Sequence, residues 1–317
     1  MFQSLLRRFL AALPPLEQKE DEAFRKAAHI TQYFYYILLF VAIFTLPMWD
    51  FAVQRADFSP VWSMAWTGLF DYDTAVNIIR FLFLGAALVG AFLWKHRAAR
   101  FLAFLGILQF HAFESSFSAI NHQWYLWVYV ALLFVFLPDV RQKATAAERG
   151  RFLLVFWGAQ AFILLTYSMS GLGKLLGAAG QMLQGQVHAF LPEAFSLHIA
   201  YWMNAIQGTT LLGPFIVDHP FIVWPFFVAS MYVLVFALWA AFKPSLHKLW
   251  AFLLILFHIG TFLTMNILFV PPTLLLLILF FDSPFASPDA GWRKTLSGIP
   301  LFGKAFDLAF PQKTGKT

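Results

Sequence analysis

The stretch 249-LWAFLLILFHIGTFLTMNILFVPPTLLLLILFF-281 contains no Asp, Glu, Lys or Arg. A helix needs about 20 apolar residues to cross a bilayer, so this run is too long for one span and suits two. Asn266 and the pair Pro271-Pro272 are its only interruptions. Proline disfavours helix in the residue before it, which predicts a tight turn between spans at 248–266 and 269–286. Working outward, the same criterion predicts helices at 30–48, 76–94, 101–119, 123–138, 152–170 and 220–242. The expected fold is therefore all-α, a polytopic integral membrane bundle of eight transmembrane helices.

Composition agrees. Hydrophobic residues make up 60% of the 317 and charged residues 12%, and the mean hydropathy is +0.69. Soluble domains carry roughly 25% charged residues to cover their cores, so lipid must serve here as much of the solvent. With no Cys, disulfides, thiol nucleophiles, iron–sulfur clusters and zinc–thiolate sites are excluded.

The net charge of +6 would suit nucleic acid, but its distribution reads as topology. With the N-terminus in the cytoplasm, eight spans place all but Arg55, Arg80 and Lys174 of the 22 Lys and Arg in cytoplasmic segments. The first outer loop is acidic, with Asp50, Asp57, Asp71 and Asp73. This is the positive-inside pattern, and it puts both termini in the cytoplasm. The expected partners are membrane lipids and a lipid-soluble small molecule, with no nucleic acid and with protein partners left open.

Three segments follow: a cytoplasmic amphipathic segment at 1–28, a transmembrane domain at 29–286 and a basic cytoplasmic tail at 287–317. Met1–Leu13 lacks the apolar length and cleavage site of a signal peptide. Its Phe2, Leu5, Leu6, Phe9, Leu10 and Leu13 recur at helical spacing opposite Arg7 and Arg8, which reads as a surface helix. The external stretch 171–218 has few charges and reads as a membrane-hugging helix or re-entrant segment.

Ionisable groups inside a bilayer cost about 2.5–3.5 kcal/mol each on insertion scales, so each needs a reason. The candidates are Arg80, His111, Glu114, Asn121, His122, Lys174 and His258, all expected in the middle or outer half of the membrane. His111 and Glu114 are three apart and share a helix face. They read either as a carboxylate orienting a histidine or as an interhelical pair without chemistry. H-x-x-E supplies only two metal ligands, and no second such pair is visible, so no metal is expected. Lys174 reads either as an interfacial snorkeller or as a base. An amine is a base only when neutral, and desolvation favours the neutral form.

Tyr167-x-x-x-Gly171-x-x-Lys174-Leu175 resembles the Y-x-x-x-G-x-x-K-L segment of vitamin K-dependent gamma-carboxylase and its bacterial relatives, the horizontally transferred transmembrane domain proteins. Leu183-Gln-Gly185 resembles the small motif that follows. Asn121-His122-Gln-Trp-Tyr125-Leu126 resembles the family's N-H-x-Y-L segment with one added residue. Phe257-His258, Met265-Asn266-x-x-Phe269 and Phe280-Phe281 resemble its last two helices. The carboxylase carries two adjacent lysines where Gly173-Lys174 stands here. It also has a large extramembrane region for its protein substrates, whereas 287–317 is a short tail.

The resemblance implies a multi-pass protein of the bacterial inner membrane, with lyase-like or quinol-oxidising chemistry at the extracytoplasmic side. A hydroquinone would be the cosubstrate, Lys174 the base and His122 its partner. Tyr167, Asn121, Tyr125, His111, Glu114, His258, Asn266 and Arg80 would form a supporting polar shell. Two other readings remain open: a non-catalytic binding or assembly subunit with the same fold, and a haem-bearing electron carrier ligated by His111 and His258.

Overall fold

The computed structural model describes residues 11–45, 58–117, 122–140, 144–288 and 291–310. Among these there is no strand. The helices are α1 (Glu20–Thr45), α2 (Tyr72–Leu93), α3 (Arg97–Glu114), α4 (Tyr125–Val135), α5 (Ala146–Leu183), α6 (Pro192–Ala205) and α7 (Gly213–Asp218). They continue with α8 (Pro220–Val235), α9 (Ala237–Ala241), α10 (His247–Met265), α11 (Val270–Phe280), α12 (Trp292–Ser297) and α13 (Gly303–Ala309). The contacts divide the chain into two compact units between Ala159 and Gln160.

Four segments are long and apolar enough to cross a membrane: α1, α2, α5 and Pro244–Met265, in which a short 3₁₀ turn leads into α10. α4, α8 and α11 are shorter apolar helices. α1 shows why lipid is the expected neighbour. Ala23, Ala27, Ile30, Phe34, Leu38 and Val41 line its buried face at the three- and four-residue spacing of a helical stripe. On the far side a water-soluble protein would carry polar residues. Here Phe40 is 65% exposed and Phe44 62% exposed.

In the first unit, α1, α2, α3 and α4 pack in sequence order. Phe34 stacks on Trp127 with ring centroids 5.0 Å apart, and Phe83 stacks on Phe110 at 4.7 Å. α2 and α3 approach closely because small residues meet: a Cβ on Gly106 would lie 2.6 Å from that of Ala86. Such small-residue contacts are how membrane helices gain packing without a hydrophobic drive. Asp71 caps α2, accepting from the Thr74 N–H at 2.9 Å. That backbone hydrogen bond holds its carboxyl below the usual carboxylate range.

Arg100 is fully buried. Its guanidinium donates to Trp94 O and Lys95 O at 2.9 Å each, and also to Leu137 O and Pro138 O. Those carbonyls follow the C-terminal ends of α2 and α4, where helix geometry leaves acceptors without partners. A residue counted in the sequence as one more loop cation is therefore an internal tie between two helix ends.

In the second unit, the 171–218 stretch departs from expectation at its start. α5 does not end near residue 170; it continues unbroken to Leu183. Gly171, Gly173, Gly177 and Gly180 suggest a helix end by soluble-protein propensity, yet glycine is well tolerated in membrane helices. At Gly171 a side chain is excluded, since a Cβ would lie 2.7 Å from Val235 N and 2.8 Å from Leu234 Cβ. α6, α7 and the connection between them follow, and α6 and that connection satisfy the end of α10. Trp202 Nε1 donates to Met265 O at 2.7 Å, Thr210 Oγ1 to Thr264 O at 2.9 Å, and Leu212 N to Leu263 O at 2.9 Å.

The expected turn after α10 is present. Asn266 is left-handed at φ 56° and its N–H bonds Phe262 O at 2.8 Å, a common helix-ending conformation. Pro271 and Pro272 sit in the first turn of α11, where the missing N–H groups leave no bond unmade. The expected helix at 220–242 is instead two helices, α8 and α9, broken at Phe236. Ser168 of α5 bridges the break: its hydroxyl donates to Val235 O at 3.0 Å and accepts from Leu238 N at 2.8 Å.

Candidate functional site

In the second unit, α5 presents Tyr167, Gly171 and Lys174 at i, i+4 and i+7, which is one helix face. Tyr167 is buried and its Oη lies 2.7 Å from Nε2 of His258 on α10, also buried. A phenol cannot remain in an apolar interior without a hydrogen-bond partner except at a cost of about 1–3 kcal/mol, and the imidazole supplies one. The His258 ring is flanked by Phe257 and by Phe269, at 5.5 and 5.2 Å between centroids. Its Nδ1 has no partner among the described residues. The pair is thus a hydroxyl–imidazole hydrogen bond set in aromatic walls.

Two turns along the same face, the environment changes. Lys174 is exposed, as are Leu172, Gly173, Leu175 and Leu176 around it. Its Nζ donates to Ser170 Oγ at 2.8 Å, one turn back on α5. An ammonium has three N–H donors, so this bond leaves capacity for a ligand. Ser170 was not singled out from the sequence, because the helix was expected to end there. Four-residue spacing would have found it had α5 been extended. Asn266 is exposed and serves as the turn residue after α10.

In the first unit, His111 of α3 is buried and its ring meets Tyr125 of α4 edge-on at 4.8 Å. Tyr125 in turn meets His122 at 5.3 Å. Tyr125 thus stands against both histidines. His122 is exposed, Tyr125 half-buried, and Nδ1 of His111 has no partner among the described residues. Glu114 is half-buried one turn along α3 from His111, and Arg80 is half-buried on α2. Asn121 lies outside the described residues.

Within the first unit, His111 and His122 meet at Tyr125; within the second, Tyr167 is joined to His258, and Lys174 to Ser170, which the sequence did not single out. No family model, curated protein or solved structure matches this chain.

Proposed function

We propose that this chain is an eight-span membrane protein with both termini in the cytoplasm, carrying base-driven chemistry of the gamma-carboxylase kind on a hydroquinone or similar lipid-soluble substrate at the extracytoplasmic side. The observation that carries it is the single face of α5 on which buried Tyr167, bonded to His258 at 2.7 Å, leads through Gly171 to the exposed amine of Lys174. That face supplies two things proton abstraction needs. One is an amine reachable by a molecule dissolved in lipid. The other is a fixed hydroxyl–imidazole pair on the same helix face.

In the proposed step, the exposed surface of Leu172, Leu175 and Leu176 around Lys174 lies against lipid, an apolar surrounding that favours the neutral amine. The amine takes the proton from a hydroquinone O–H, leaving the hydroquinone anion and an ammonium held by Ser170. Oriented acid–base groups of this type contribute about 10²–10⁴-fold.

The chemistry is tested by reconstituting the protein in liposomes with a naphthohydroquinone and dioxygen and following quinol consumption. Consumption above empty liposomes that disappears in Lys174→Ala supports the reading. Equal rates in both would reject it. The span count is tested separately. A reporter fused after Lys316 should be cytoplasmic, and one inserted near Gln186 extracytoplasmic. An extracytoplasmic signal from the C-terminal fusion would overturn the eight-span arrangement.

A further inference from the structure

A second feature, in the first unit, is a cavity of about 410 Å³ between the end of α4 and the start of α5. Its charged lining is Arg97, Arg151 and Asp139, and its apolar lining includes Phe136, Leu154 and Val155. The three charges are not equivalent. Asp139 accepts the backbone N–H of Arg97 at 2.7 Å, and the same carboxylate lies 3.7 Å from the buried Arg100 guanidinium. Its negative charge is thus directed to the helix start and to Arg100. Arg97 and Arg151 are both exposed, and neither forms an ion pair among the described residues. The Arg97 guanidinium stands 5.7 Å from the Phe136 ring centroid, a cation–π distance that fixes it at the cavity wall.

The apolar side is equally specific. Phe136 is 57% exposed and Leu154 44% exposed, so a hydrocarbon surface continues outward from the two guanidinium groups. A small soluble anion would match the charges and leave that wall bare. A phosphodiester with an attached acyl chain matches both, and guanidinium is the side chain best suited to phosphate oxygens. The α2–α3 and α4–α5 connections that border the cavity are also those the charge pattern assigns to the cytoplasmic face, where anionic lipids concentrate.

We infer that this cavity is a binding site for one anionic phospholipid, its phosphate between Arg97 and Arg151 and an acyl chain along Phe136, Leu154 and Val155. The inference rests on the chain being a membrane protein and is independent of any role for Lys174.

The test is native mass spectrometry of the detergent-solubilised full chain, titrated in separate arms with phosphatidylglycerol, phosphatidylcholine and inorganic phosphate. One saturable phosphatidylglycerol is expected, with phosphatidylcholine weaker and inorganic phosphate not retained. Each arginine near a lipid headgroup contributes about 1 kcal/mol, so Arg97→Gln and Arg151→Gln should each weaken binding about fivefold, and together about 25-fold. Lys243→Gln/Lys248→Gln, away from the cavity lining, should leave affinity unchanged. Should the double arginine variant unfold, the two single variants carry the same comparison. Equal weakening by the lysine and arginine variants would reduce the effect to general surface charge and overturn the site. Inorganic phosphate binding as tightly as the lipid would overturn the acyl-chain half of the inference.

Discussion

Arg100 and Lys174 are both basic residues on apolar helices, and their surroundings are opposite. Arg100 is fully enclosed, and its guanidinium reaches four backbone carbonyls and the Asp139 carboxylate. Lys174 is exposed and bonded to one serine hydroxyl on its own helix. The difference teaches how to separate a structural charge from one available for chemistry in a membrane-type fold. A structural cation has most of its donors occupied by fixed groups of the protein, as both terminal nitrogens of Arg100 are. A basic group with donor capacity left over, on an exposed apolar surface, is a candidate for binding or chemistry.

This contrast predicts a gradient of stability effects. Arg100→Met should cause the largest loss, about 3–5 kcal/mol, because a buried network is broken and the carbonyls of Trp94, Leu137 and Pro138 lose the guanidinium. The thermal melt of the detergent-solubilised protein, followed by circular dichroism, would show it. A melt unchanged from the parent would mean that Arg100 does not hold those helix ends. Tyr167→Phe should fall between, at about 1–3 kcal/mol, since the buried Nε2 of His258 loses its partner. Adding His258→Leu should recover part of that loss, because both polar groups are then gone. A double variant that simply sums the two single losses would argue against coupling. Lys174→Ala should be the smallest, within about 0.5 kcal/mol of the parent, as expected for an exposed side chain away from special features.

The sequence made the helical, membrane-type architecture legible because hydropathy and length carry that information locally. Asn266 with Pro271-Pro272 was legible as a turn for the same reason: both ends of the effect lie within a few residues. What failed were inferences that needed a partner far along the chain. Nothing near Arg100 distinguishes it from Lys95 or Arg97 as a loop cation, because its acceptors at Leu137 and Pro138 arrive with another helix. The Tyr167–His258 bond joins positions 91 apart. Both residues were selected, Tyr167 from a resemblance and His258 from its intramembrane position, but neither signal pairs them. The end of α5 was misplaced because span length alone stops the helix after about 20 residues, whereas it runs on to Leu183 through Gly171. The reason for a glycine there, the backbone of Leu234 and Val235, comes from α8.

The most direct measurement is the rate of naphthohydroquinone consumption by Lys174→Arg in the same liposomes as the parent and Lys174→Ala. Arginine preserves the positive charge and the capacity to snorkel, but guanidinium stays protonated and cannot act as a base. The account predicts that Lys174→Arg falls with Lys174→Ala, at least about 100-fold below the parent, while its melt stays at the parent value. Parental activity in Lys174→Arg would contradict the account, showing that a charge at this position suffices and that Lys174 is not the base.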